Sequence, residues 1–278
     1  MKAKLKSKKG TDKGDIILPE QFGEEIRPDL IKRAVLAVQN NRRQRHGVDP
    51  RAGKKHSSTI SKRRRDYKTS YGHGISRVPR KILSRRGTRF NWVASTSPNT
   101  RGGRRAHPPK AEKVYSKKIN KKERRKAIRS ALSAVMVKEY VLKRGHKVEE
   151  YPFVLEKDAE NIKKTKDVQE LFGKLGLNAE LERASKTTEK TGKARRRGNK
   201  KKTRVGPLLV VSDKCPLVKA ASNIPGVDVV PVTGINAELL APGTDYGRLT
   251  IFTEKAIEML EKQKLFTDNI QIEKKSKE

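Results

Sequence analysis

Residues 47–118 carry no helical or strand periodicity over any useful length, and they are rich in Arg, Lys, Gly, Ser, Thr and Pro. Irregular connections longer than about 12–15 residues are uncommon in compact domains, where they are functional or disordered. The apolar residues here, Ile60, Ile75, Val78, Ile82, Leu83, Phe90, Trp92 and Val93, are scattered, so no conventional core is expected from them. Any globular domain must therefore be assembled from the residues on either side.

Charge points the same way. Residues 42–126 hold 29 Lys/Arg against 4 Asp/Glu, a net of +25. Residues 183–204 hold 11 against 1, a net of +10, and residues 1–13 hold 6 against 1, a net of +5. The whole chain nets +37, so everything else nets −3. A nearly neutral body thus bears three basic segments. Such segments repel themselves and call for a polyanion, of which nucleic acid is the usual one. Binding to an anionic membrane surface would want apolar residues at helical spacing among the charges, and residues 47–118 show no such stripe. Nothing near 18 consecutive apolar residues occurs, so no transmembrane helix and no membrane partner are expected. The N-terminus MKAKLKSKKG lacks the apolar stretch of a secretory signal. Cys215 is the only cysteine, which excludes an intrachain disulfide and suits a reducing cytoplasm.

The body is expected from residues 14–46 and 119–265, with 1–13 and 266–278 as tails. Residues 14–22 suit a short strand ending at Pro19. Residues 27–45 read as a helix, with Pro28 and Asp29 in its first turn and Ile31, Val35 and Val38 on one face. A long helix is expected over 119–144, marked by Ile128, Leu132, Val135 and Leu142 and stopped by Gly145. Its first turns, KKERRK (121–126), set cations at the positive end of the helix dipole, which a nearby phosphate would offset. Strands follow at 151–155, 207–212, 227–232 and 249–252. Between and after them lie helices at 165–175, 178–185, 214–221, 236–242 and 253–264, with Thr165 as a cap and Gly176 as a stop. Continuous apolar strands alternating with helices imply a mostly parallel sheet flanked by helices, Rossmann-like in class. The fold expected is therefore an α/β body plus a long basic non-globular loop, with a second basic segment at 186–204 that emerges from the body surface.

The irregular spacing of Arg63, Arg64, Arg65, Arg77, Arg80, Lys81, Arg85, Arg86 and Arg89 suits an extended chain among phosphates better than a helix in a DNA groove. Arginine fits RNA because its planar fork binds phosphate bidentately and stacks on bases. Tyr67, Tyr71, Phe90 and Trp92 lie among these charges and could stack on unpaired bases. His46, His56, His73 and His107 match no zinc-finger spacing, so neither a metal nor a cofactor is expected. YGHG (71–74) and RGG (101–103) are turns, not phosphate loops. Ser212 and Asp213 follow a strand and read as a helix N-cap. Cys215 lies far in the sequence from every histidine and reads as a packed small residue. The spacing of Asp228, Glu238 and Asp245 gives no specific support for a metal site. A DNA-packaging protein and an RNA-processing or nucleotide-using enzyme are the rival classes. The first requires tight duplex binding with little RNA preference. The second requires a phosphate loop or an acid/base pair at strand ends, and neither is evident.

YGHGISRVPR (71–80), RGGRRAHPPK (101–110) and KERRKAIRSALSA (122–134) resemble the archaeal and eukaryotic branch of the large-subunit ribosomal protein L4 family. RQRHGVDPRAGKKHSS (43–58) and KARRRGNKKKTRVGPLLVV (193–211) fit the same family in the same order. The resemblance implies a structural, non-enzymatic protein of the large ribosomal subunit, with an α/β domain on the outside and a loop reaching into the rRNA. It implies binding to large-subunit rRNA of the 23S type early in assembly, beside neighbouring ribosomal proteins, in the cytoplasm. Residues expected as rRNA contacts are Arg42, Arg43, Arg45, Arg51, Lys54, Lys55, Arg63, Arg64, Arg65, Lys68, Arg77, Arg101, Arg104, Arg105, His107 and Lys110 in the basic segment. In the second segment they are Arg195, Arg196, Arg197, Lys200, Lys201 and Lys202. The family's loop tip lines the peptide exit tunnel and meets the nascent polypeptide. By position this assigns residues 77–100 to the tip, with Arg80, Arg85, Arg86, Arg89 and Trp92 as lining residues.

Overall fold

The computed structural model describes residues 1–268. The chain forms two compact units, one from Met1–Arg42 with Ser116 onward, the other from Arg43–Tyr115. The second unit starts and ends a few residues earlier than the 47–118 expected.

The body opens with β1 (Lys2–Lys6) and β2 (Asp12–Ile17), paired antiparallel. This corrects the expectation that residues 1–13 form a tail. In KAKLK the lysines mask a strand in which alternate side chains take opposite faces. Ala3 is buried and Leu5 packs on the core, while the ammonium of Lys6 meets Glu150 at 2.6 Å. Helix α1 (Pro28–Arg42) follows, burying Ile31, Ala34, Val35 and Ala37. Strands β3 (Arg80–Arg86) and β4 (Arg89–Ala94) belong to the second unit.

The long helix expected over 119–144 is two helices, α2 (Lys121–Met136) and α3 (Lys138–Lys143). Val137 between them is extended, at φ −89° and ψ 113°. Neither Gly nor Pro marks the break. Gly145 adopts φ +94°, the left-handed stop expected of it. At the basic start of α2, Glu123 lies in the first turn and pairs with Arg33 at 3.2 Å, an internal offset to the cations there.

Strand β5 (Phe153–Leu155), α4 (Thr165–Lys174) and α5 (Asn178–Ser185) come next. Lys164, not Thr165, occupies the cap position of α4. The second basic segment contains a two-residue ladder of β6 (Thr188–Glu189) and β7 (Lys201–Lys202) around α6 (Gly192–Arg196). The chain then runs through β8 (Leu208–Val211), α7 (Pro216–Ser222), β9 (Asp228–Pro231), α8 (Ala237–Leu240), β10 (Thr250–Thr253) and α9 (Glu254–Lys262).

The main sheet has the order β2-β1-β5-β10-β8-β9, parallel throughout except for β2 at the edge. This differs from the 3-2-1-4-5-6 order of the Rossmann dinucleotide fold, so the Rossmann-like expectation reduces to a mostly parallel sheet flanked by helices. Both faces are covered, and alternation along the strands sorts the core into two layers. Val154, Leu208, Val210 and Phe252 pack with α1, α2, α8 and α9. Phe153, Leu155, Leu209, Val211 and Ile251 pack on the other face with α4 and α7. Phe22 meets Phe252 edge to face, with centroids 5.3 Å apart.

Two buried charged side chains of the body, Glu160 and Arg248, are held in networks. Glu160 receives Ser212 through both its amide (2.9 Å) and its hydroxyl (2.8 Å), and Thr253 through its hydroxyl (2.7 Å). Ser212 therefore ties two segments together, while Cys215 sits at the cap of α7, which corrects the capping role expected of Ser212 and Asp213. Arg248, 1% exposed, donates to the carbonyls of Gly206 (2.9 Å) and Leu239 (3.0 Å) and pairs with Asp228. Among the described residues no helix is long and apolar enough to cross a membrane. Leu265 and Phe266 pack against the core, and residues 269–278 of the expected 266–278 tail lie outside the described residues.

Candidate nucleic-acid interface

The unit Arg43–Tyr115 holds 21 Lys/Arg against 3 Asp/Glu. It is ordered by a hairpin that its charge pattern conceals. Strands β3 and β4 pair antiparallel, with Ile82 opposite Trp92, Arg85 opposite Phe90 and Arg86 opposite Arg89. Gly87 at the turn adopts φ +57°, a left-handed conformation natural to glycine. On β4, Phe90, Trp92 and Ala94 are half-buried while Arg89, Asn91 and Val93 are exposed. This corrects the reading of residues 47–118 as devoid of strand. The available signal was the alternation RFNWVA after a Gly-Thr turn.

The scattered aromatics gather on that hairpin. Tyr67 meets Phe90 edge to face at 5.2 Å, and Phe90 meets Trp92 at 5.2 Å. The Arg80 guanidinium lies 5.4 Å from the Trp92 ring centroid and donates to Ser76 Oγ (3.1 Å) and the Val78 carbonyl (3.3 Å). Arg80 is 8% exposed, so its expected role as an open lining residue is corrected. It supports the aromatic face through cation–π contact and hydrogen bonds. Arg85 and Arg86 are exposed toward the turn, as is Arg89, and Arg85 donates to the Tyr67 hydroxyl at 3.0 Å. Arg77 stacks over Tyr71, 4.5 Å from its centroid.

Entry and exit of the unit are pinned together. Val48 donates its amide to the Pro109 carbonyl at 3.3 Å. A Cβ on Gly53 would stand 2.6 Å from the backbone of Arg104, so only glycine permits that approach. Arg43 stacks 4.1 Å over Tyr115, and His46 lies parallel to the same ring at 6.0 Å. A cleft of about 620 Å³ here brings together Arg43, Arg105, His107 and Lys110, four of the expected contacts. Tyr115 is a site residue that sequence reasoning passed over, because nothing local ties it to Arg43.

Of the remaining expected contacts, Arg45, Arg51, Lys54, Lys55, Arg63, Arg64, Arg65, Arg77 and Arg101 are exposed, and Lys68 and Arg104 are half-buried. Among the described residues of this unit one ion pair occurs, Lys55 with Asp49 at 2.8 Å. Arg42 closes α1 in the body and pairs with Glu238 at 2.7 Å. In the second segment Arg195, Arg196, Arg197, Lys200, Lys201 and Lys202 are the expected contacts. Arg195 is paired to Glu189 at 3.0 Å, and among the described residues the other five form no ion pair. The base of this segment is closed where Arg183 donates to the Val205 carbonyl at 2.7 Å. Arg183 is held in turn by buried Glu180, which also accepts from His146 at 2.6 Å. Among the described residues no cluster of three or more His, Cys, Asp or Glu side chains is placed to hold a metal.

The interface is thus a set of exposed cations, carried on elements whose aromatic and backbone contacts hold them in place. The model of the ribosomal protein L4/L1 family matches residues 16–263. The large ribosomal subunit protein uL4 of Nanoarchaeum equitans is 49% identical over 267 residues, 96% of this chain and 100% of the relative. That of Archaeoglobus fulgidus is 45% identical over 262 residues, 94% of this chain and 98% of the relative. The corresponding protein of Methanosphaera stadtmanae is 45% identical over 263 residues, 93% of this chain and 96% of the relative. With matches of this extent, the chain belongs to the ribosomal protein L4/L1 family.

Proposed function

We propose that this chain is a structural, non-enzymatic constituent of the large ribosomal subunit in the cytoplasm. It binds large-subunit rRNA through residues 43–115 and 186–204 and joins the subunit early in assembly. One observation carries this reading. The second unit concentrates 21 cations against 3 carboxylates, and most of those cations are exposed and lack an ion-pair partner within the unit. Left alone, these charges repel one another; among phosphates they screen the repulsion between RNA segments. Arg85, Arg86 and Arg89 flank the hairpin turn at the tip and line the peptide exit tunnel beside the nascent polypeptide. Neighbouring ribosomal proteins meet the body.

Sucrose-gradient fractionation of cell lysate at moderate and high salt tests the reading. The chain is expected to co-migrate with large subunits and to stay there at high salt. Recovery in free, chromosomal or salt-stripped fractions would overturn it and restore the DNA-binding alternative.

A further inference from the structure

The aromatic face of the β3–β4 hairpin borders a cavity of about 490 Å³, within the roughly 300–1,000 Å³ of clefts that hold small ligands. Three kinds of group meet there. Tyr67, Phe90 and Trp92 supply ring surface, Lys68 and Arg89 supply positive charge, and Asp66 supplies a carboxylate. The unit has only three acidic residues, and one of them lines this cavity. Asp66 accepts from the Ser61 hydroxyl at 2.6 Å and from the Tyr67 amide at 2.8 Å. Those bonds hold its carboxyl below the usual carboxylate range. An ionised carboxylate offers about four acceptor positions, so acceptor capacity remains for a ligand.

We propose that this cavity is a nucleobase pocket for one unstacked guanosine nucleotide of RNA. The base stacks on the aromatic wall, its N1–H and N2 amino group donate to Asp66, and its phosphates face Lys68 and Arg89. Guanine alone among the four bases presents two adjacent donors on its Watson–Crick edge. Adenine and cytosine set a ring acceptor beside their amino donor, and uracil sets its N3–H between two carbonyls. Aromatic stacking gives affinity for any base; a carboxylate that accepts two donors gives the preference. The inference rests on the RNA-binding reading above and adds a base-specific contact to it.

Trp92 is the only tryptophan of the chain, so its fluorescence reports this pocket directly. The full-length protein is titrated with the heptaribonucleotides UUUGUUU, UUUAUUU, UUUIUUU (I, inosine) and UUUUUUU, following Trp92 emission and the anisotropy of labelled RNA. The G-containing oligomer should quench Trp92 and bind about 5- to 150-fold more tightly than the all-U oligomer. Inosine lacks the 2-amino group and should bind several-fold more weakly than guanosine. Asp66→Asn should bring the G-containing oligomer to the level of the A-containing one. Equal binding of all four with no quenching would overturn the pocket while leaving RNA binding intact. Equal binding of inosine and guanosine would remove Asp66 from the recognition even if the Asp66→Asn protein failed to fold. Absence of any binding would remove the RNA reading and the pocket together.

Discussion

Replacing Glu180 by Gln should cost the body about 3 kcal/mol at pH 7, working from about 1.36 kcal/mol per pKa unit. Glu180 is 0% exposed on α5 and accepts two bonds from Arg183 (2.8 and 2.7 Å), one from His146 (2.6 Å) and one from the Lys147 amide (2.9 Å). Burial alone would push this carboxyl up. The Arg183 and His146 hydrogen bonds and the Lys147 amide outweigh burial and bring it from 4.5 to about 2. A fall of roughly 2.5 units gives the figure above. It also agrees with the about 3–5 kcal/mol lost when one partner of a buried ion pair is removed. A depressed carboxyl contributes stability that is fully present above its unfolded value and is lost as the pH falls through its folded value. The gap between wild type and Glu180→Gln should therefore be full at pH 7 and close between pH 4.5 and about 2. Urea unfolding followed by far-UV circular dichroism at pH 7 and pH 3 measures it, since Trp92 lies in the other unit and does not report the body. A gap under about 1 kcal/mol at pH 7, against the 3–5 expected for a broken buried pair, would refute the reasoning. So would a gap that stays constant down to pH 2.5.

Further outcomes follow from the same networks. Burial holds His146 below its usual value near 6.5, so the wild-type urea midpoint should drop as the pH falls below 6.5, and His146→Asn should flatten that drop between pH 7 and 5. Replacing Arg195, Arg196 and Arg197 by Gln should lower the slope of log affinity for rRNA against log salt by about 0.7–0.9 for each phosphate left without its cation, read by filter binding over a salt series. Deleting residues 60–105 should leave the body folded, because both core layers lie in the other unit, yet deplete assembled large subunits in a sucrose gradient. Normal subunit levels in such a strain would sink the assembly role.

Much of the body is legible in the chain because its strands are short, apolar and separated by helix signals. Residues 207–212, 227–232 and 249–252 are strands β8, β9 and β10 within a residue or so; β8 and β10 lie inside the sheet, where hydrophobicity is the controlling variable, and β9 forms its edge. The same rule fails for β1 and for the β3–β4 hairpin. In KAKLK the exposed Lys2 and Lys4, and in RKILSRRGTRFNWVA the exposed Arg85, Arg86 and Arg89, hide the two-residue alternation beneath. Arg80 shows the limit most clearly: by composition it is one cation among many, yet its ring contact with Trp92 places it inside.

What the amino-acid sequence determines by itself is the division of labour. Charge is additive along the chain, so a segment of net +25 needs a polyanion whatever its conformation. Apolar runs likewise demand a covered sheet wherever they occur. What only the tertiary structure decides is pairing between residues distant in sequence. The order β2-β1-β5-β10-β8-β9, the hold of Glu180 on His146, and the meeting of Asp66 with Phe90 and Trp92 each depend on which surfaces pack. Long-range contacts of this kind repay their loop-closure entropy only when the whole core forms, and no local pattern in the sequence records them.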